Sequence, residues 1–191
     1  MSFNKRRIIN HATEWAKSDA KDHRDTFVQS LDSLRKEVDL KTKDIDEILD
    51  MPDNWYSNRL RGGNGSHEFM LNDFELCKEF IQEYQKTEDV DIENLRIRAN
   101  SSTYKKLQKL EEMREFVDID ENKIDRAIDK PKNWYLDCIN GDKNMSLNSY
   151  FETFIFLESL LMVYVKEGYI NDNVVDNLVD QGYIDQEVVP A

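Results

Sequence analysis

One short stretch occurs twice in this chain, and its repetition constrains the fold more than any other feature. Asp50-Met51-Pro52-Asp53-Asn54-Trp55-Tyr56, followed by Leu60, Arg61 and Gly62, returns as Asp129-Lys130-Pro131-Lys132-Asn133-Trp134-Tyr135, followed by Ile139, Asn140 and Gly141. The offset is 79 at both ends (134 − 55 and 141 − 62). It holds upstream, where Val38-Asp39-Leu40 matches Val117-Asp118-Ile119, Ile45-Asp46 matches Ile124-Asp125, and Leu31 and Leu34 match Leu110 and Met113. After the glycine the second copy is three residues shorter, so Leu71-Asn72-Asp73-Phe74 matches Leu147-Asn148-Ser149-Tyr150 at an offset of 76 (147 − 71). An internal duplication of roughly sixty residues has the size of a small domain.

The scarcity of glycine and proline, six and three in 191 residues, disfavours a turn-rich β protein and favours helices. That length suits one ordinary domain or two small ones. No run reads as a signal peptide or a membrane span. The most apolar stretch, 150–165, is interrupted by Glu152 and Glu158 and reads as a buried helix. Cys77 and Cys138 sit at non-equivalent places in the two copies and read as reduced core residues of a cytoplasmic protein. The net charge of −13 is uneven. Residues 1–17 carry Lys5, Arg6, Arg7 and Lys17 against Glu14. The first copy (21–84) has nine basic and fifteen acidic residues, the second (100–163) nine and twelve, and the tail from Tyr164 has Lys166 against six acids. An acidic balance repels phosphate backbones at long range, but it permits a local basic face.

Apolar spacing predicts helices over 3–17 (Ile8, Ile9, Ala12, Trp15, Ala16), 22–37 (Phe27, Val28, Leu31, Leu34) and 41–49 (Ile45, Ile48 and Leu49 inward). Pro52 suits the first turn of a third helix running to Arg61 and ending in a left-handed cap at Gly62-Gly63. A loop to His67 leads into a helix with Leu71, Phe74, Leu76, Phe80 and Ile81 as apolar contacts. The second copy repeats the plan over 104–117, 121–128 and 131–140, and Ser146 suits the N-cap of the long apolar helix, which should be buried on more than one side. The expected organisation is all-α: residues 1–84 hold an N-terminal helix and the first repeat, 85–99 a polar, partly helical connector, 100–163 the second repeat and 164–191 an acidic tail. The tail has its own echo, Glu167-Gly168-Tyr169-Ile170 and Gln181-Gly182-Tyr183-Ile184. Between them Val174, Val175, Leu178 and Val179 are expected to form a short amphipathic helix laid on 150–165 or capping a partner chain.

Two short helices, a tight turn and a glycine-closed loop in each copy resemble the helix-turn-helix of the Cro/C1 (lambda-repressor-like) family. Ile45, Leu49, Asp50 and Gly62 stand at the inward, turn and closing-glycine positions of that pattern, and Ile124, Ile128, Asp129 and Gly141 do so in the second copy. The segment Cys138-Ile139-Asn140-Gly141-Asp142-Lys143 is similar to the end of such a recognition helix. The turn position, usually glycine, is Asp50 or Asp129, which tolerates left-handed geometry. The position where the second helix abuts the third, usually a small residue, holds Asp46 or Asp125, whose carboxylate must reach solvent or a partner.

In such folds the start of the recognition helix reaches base edges and its flanks hold phosphates. The resemblance therefore implies contacts to double-stranded DNA from Asp53, Asn54, Ser57, Asn58, Arg59 and Arg61 in the first copy, the better candidate. In the second it implies Lys132, Asn133, Asp137, Asn140 and Lys143, with Lys5, Arg6 and Arg7 as an arm on the phosphates. Asn54 and Asn133 equally suit closing the turn, and Trp55 and Trp134 are expected in the core. Asp118-Ile119-Asp120-Glu121-Asn122 opens like a calcium loop, but Lys123 stands where glycine is needed and Asp129 where Glu is needed. His11, His23 and His67 lack zinc-ligand spacing. No phosphate loop or nucleophile–base motif is present, so neither a cofactor nor an enzymatic activity is expected. Three readings remain: a DNA-binding regulator of phage or mobile-element type, alone or as a homodimer; an acidic inhibitor of a nucleic-acid-processing protein of the anti-CRISPR or anti-restriction kind, whose carboxylates stand in for DNA phosphates; and a helical scaffold whose duplicated motif is only structural.

Overall fold

The computed structural model describes residues 5–62, 67–87, 89–170, 178, 179 and 183. Among them are eight named helices: α1 (Lys5–Glu37), α2 (Thr42–Ile48), α3 (Trp55–Arg61), α4 (Leu71–Tyr84), α5 (Ile92–Phe116), α6 (Glu121–Ala127), α7 (Trp134–Ile139) and α8 (Leu147–Lys166). The described residues contain no strand, only an isolated antiparallel bridge between Met70 and Ser146. The protein is all-α, and none of its described helices is long and apolar enough to cross a membrane.

Two of the expected breaks are absent. From Lys5 the two expected N-terminal helices form one, α1, and most of the connector joins the next expected helix in α5. No glycine or proline interrupts either run, and Ser18 donates its hydroxyl back to the Trp15 carbonyl at 2.9 Å rather than ending the helix. Ala20 and Ala99, equivalent by the 79-residue offset (99 − 20), are both buried at these points. Packing there holds the helices straight through sequences that local preference leaves neutral.

The short helices follow the duplication closely. α2 and α6 share the offset at both ends (121 − 42 and 127 − 48), and each packs against the helix that follows it, α3 or α7. Among the described residues, the six non-glycine residues with positive φ are three matched pairs: Asp39 and Asp118 (53° and 46°), Asp50 and Asp129 (55° and 54°), Asn54 and Asn133 (63° and 66°). Asp and Asn supply most of the left-handed bends that glycine usually provides. Pro52 does not begin α3. Asn54, left-handed at the N-cap, delays the helix to Trp55, whose N–H donates to the Pro52 carbonyl at 2.9 Å; Trp134 and Pro131 repeat this at 3.1 Å. Gly62 has φ 69° but ψ 169°, a positive-φ end that favours glycine yet lies outside the left-handed helical well. Its neighbour Gly63 lies outside the described residues.

Behind the short helices a second device recurs. Arg35 Nε donates to Asp32 at 2.7 Å and its Nη1 to the Leu40 carbonyl; Arg114 Nε donates to Glu111 and its Nη1 to the Ile119 carbonyl at 2.9 Å. Each arginine ties the end of its long helix to the chain beyond the first left-handed aspartate.

Contacts divide the protein into two compact units that do not follow the copies along the chain. One gathers Met1–Ala20, Leu107–Lys143 and Phe151–Ala191; the other gathers Lys21–Lys106 and Asn144–Tyr150. Each unit thus takes the two short helices of one copy and the upstream part of the other copy's long helix. In the first unit Lys17 pairs with Asp129 at 2.6 Å. In the second its equivalent Arg96 (96 − 17) donates to the Leu49 carbonyl at 3.3 Å. The exchange extends to the bridge inside the second unit. Leu71 N–H donates to Met145 at 2.9 Å and Leu147 N–H to Phe69 at 2.8 Å, and both pairs are equivalents at the offset of 76 (147 − 71 and 145 − 69).

Ser146 caps α8 as expected, accepting the Ser149 N–H at 3.2 Å. Gly168, at φ 69°, ends it with paired bonds from Gly168 N–H to Val165 and Tyr169 N–H to Tyr164. Phe156, Leu157 and Leu161 are fully buried along α8. In the tail, Leu178 and Tyr183 are buried; Tyr183 stacks edge-on against Phe116 of α5 and donates its hydroxyl to Glu112. Val174, Val175 and Gln181-Gly182 lie outside the described residues.

Candidate functional site

The surface that the resemblance singles out is built on a buried carboxylate. Asp46 and Asp125 are 3% and 1% exposed, so they do not reach solvent. Each reaches a partner in its own unit: Asp46 accepts the Tyr56 N–H at 2.8 Å, and Asp125 accepts the Tyr135 N–H, also at 2.8 Å. The first backbone donors of a helix lack intrahelical partners, and an acid there also meets the positive end of the helix dipole. A carboxylate projected from one short helix therefore fixes the start of the next. The left-handed Asn54 and Asn133 make no side-chain cap, so this role passes to residues eight earlier (54 − 46 and 133 − 125).

The aromatic pair at the start of α3 and α7 divides differently from the expectation. Tyr56 and Tyr135, not the tryptophans, are fully buried. Tyr135 donates its hydroxyl to Glu111 at 3.1 Å, and burial first, then Glu111, pushes its ionisation far above the ordinary tyrosine range. Trp55 and Trp134 are half-buried, each under a cation: Arg59 lies 5.4 Å from the Trp55 ring centre and Lys130 lies 5.2 Å from that of Trp134. Ile48, expected inward, is 38% exposed, whereas its counterpart Ala127 is buried.

The candidate contact residues fall into three groups. Asp53, Asn54, Arg61, Lys132, Asn133, Asn140 and Lys143 are exposed, as is Arg7. Ser57, Asn58, Arg59 and Asp137 are half-buried. Lys5 and Arg6 lie in the first turn of α1, and their side chains are outside the described set. Arg59 is engaged within the protein. Besides Trp55 it acts on Asp73, whose carboxyl is raised by burial and pulled partly back by the Arg59 charge. Asp137 and Lys143 pair at 2.6 Å, and that hydrogen bond chiefly holds the Lys143 ammonium above its usual range.

Each copy gathers three cations at one surface. Arg126, Lys130 and Lys132 line an open depression of about 400 Å³ with Asp120, Asn122 and the buried Asp125. Asp129 beside it is already paired with Lys17. In the first copy Arg59 and Arg61 line a much narrower cleft with Arg24, alongside Asp25 and Glu68. Arg24 pairs with Asp25 at 2.5 Å. Arg126 and Lys130 lie before α7, outside the helix that the resemblance singles out. Alignment of the copies holds the signal: Glu47, Met51 and Asp53 stand where the second copy has Arg126, Lys130 and Lys132.

Among the described residues no three His, Cys, Asp or Glu side chains gather as a metal site. Comparison with known proteins finds no match: no family model, curated protein or solved structure corresponds to this chain.

Proposed function

We propose that this protein is a double-stranded-DNA-binding regulator built on two diverged helix-turn-helix units of Cro/C1 type, with the second unit as its principal phosphate-contacting face. The observation that carries the reading is the cluster of Arg126, Lys130 and Lys132 beside the exposed Asn133 at the start of α7. In such a geometry lysines and arginines at the helix start hold phosphates, while Asn133 and Asn140 face base edges. The paired left-handed turns and buried aspartate caps support the same reading, because they present two short helices in matching local frames. A catalytic role is no part of it.

The test is binding to random-sequence duplex DNA across a salt series. Wild-type affinity should fall steeply with salt, and the double variant K130A/K132A should lower the slope of log K against log salt by about 2. R61A should cost less, and R59A should act mainly through stability. Absence of binding at low salt removes the reading. The second reading, an acidic inhibitor of a nucleic-acid-processing protein, then gains ground from Glu47, Asp50 and Asp53, which are exposed on the first copy. Asp46 and Asp125 lend it nothing, because they are buried.

A further inference from the structure

We propose that the acidic face of α2 docks on the basic α6–α7 face of a second copy of this chain. The two faces share one local backbone, since the left-handed turn residues match pair for pair at the 79-residue offset (129 − 50 and 133 − 54). On that common frame the charges are reversed. Asp44, Glu47 and Asp53 of the first copy stand where the second has Lys123, Arg126 and Lys132. Glu47, Asp53, Arg126 and Lys132 are all exposed. On α2, Ile48 is 38% exposed and Glu47 lies 3.6 Å from Lys43, so the acidic side chains share this surface with a lysine. Arg126, Lys130 and Lys132 line the 400 Å³ depression together with Asp120, Asn122 and the buried Asp125. The reversed charges at Glu47/Arg126 and Asp53/Lys132 supply the complementarity of a specific protein contact.

A duplicated chain can do this where a symmetric dimer of identical repeats cannot, because its two copies are free to acquire opposite signs. The contact is heterologous: face one of one molecule meets face two of the next, and the assembly closes into a ring or continues as a chain. The overall charge of −13 opposes association at long range. At about 0.15 M salt the screening length is about 8 Å, so whole-molecule repulsion is damped while pairs in contact persist. Association should therefore be strongest at intermediate salt and weaken at both extremes. The contact uses the same Arg126, Lys130 and Lys132 surface proposed above to hold phosphates, so duplex DNA and a second copy compete for it; the association is measured without nucleic acid.

The experiment is sedimentation velocity of the full chain from about 1 µM to about 500 µM, a range that brackets a weak interface. Wild type should show concentration-dependent association. E47R/D53K and R126E/K132E should each weaken it at least about tenfold, since each sets like charges face to face. The variant carrying all four changes should associate again, because its faces are complementary with the signs exchanged. Far-UV circular dichroism identifies any variant that fails to fold, and K123E/K132E then replaces R126E/K132E. A wild type that stays monomeric throughout overturns the proposal, as does association that the single-face reversals leave intact or that the four-fold variant does not recover.

Discussion

Replacing Asp46 with alanine tests the central structural claim. Its carboxylate accepts the Tyr56 N–H at 2.8 Å, with Tyr56 wholly buried. Alanine leaves that N–H without an acceptor in a place water does not reach. A hydrogen bond to a charged group contributes about 1.5–3 kcal/mol, and an unsatisfied buried donor costs about 1–3 kcal/mol. One effect opposes these: the second oxygen of Asp46 is buried without a hydrogen-bond partner, and its removal recovers desolvation. The net expectation for D46A is a loss of about 2 kcal/mol. In a chain of this length that lowers Tm by about 4–8 °C. With a urea m-value of about 3 kcal/mol/M the midpoint moves by about 0.7 M. D46N retains an acceptor for the Tyr56 N–H and should lose less than half as much. The assay is urea unfolding followed by circular dichroism, with the m-value compared among variants. A neutral D46A, or a D46N as costly as D46A, refutes the reasoning.

The matched substitution D125A should lose a similar amount, because Asp125 makes the same 2.8 Å bond to Tyr135; a tenfold smaller effect in the same urea assay would contradict the equivalence of the two turns. Asp73 should make stability fall as pH rises. Burial raises its folded-state pKa above the unfolded value of about 3.9, so the folded form holds the proton longer and loses ground between the two values; D73N should flatten the urea-midpoint profile there. Cys138 is pushed up to about 11 and Cys77 also well above the ordinary thiol range, chiefly by burial, so at pH 8 iodoacetamide should modify neither thiol in the folded protein and both in urea, as mass spectrometry would read. Residues 1–84 expressed alone should show no cooperative monomeric unfolding, because the unit around the first copy also draws on the 85–106 and 144–150 segments, including the buried Leu95 and Ala99.

What the sequence determined by itself is local and repeated. The apolar spacing, the matched Asp-Pro-Asn-Trp-Tyr turns and Ser146 predict α2, α4, α6, α8 and the left-handed turns, because each depends on residues within a few positions of one another. Single-residue backbone preference is legible at Asp50, Asp129 and Gly168 for the same reason. The tertiary structure decided everything that requires knowing what lies opposite. Continuity of α1 and α5 rests on the burial of Ala20 and Ala99, not on local preference. The tyrosines took the core and the tryptophans the half-exposed positions because Asp46 and Asp125 anchor the tyrosine N–H groups inward. The same carboxylates, which composition counts as surface charge, became buried helix anchors because a folded neighbour supplied their donor. Of the basic residues, Arg59 is drawn onto Trp55 and Asp73 and Lys130 onto Trp134, while Arg126, Lys130 and Lys132 line one depression. A charge acts through distance and dielectric, and both are set by the folded chain around it.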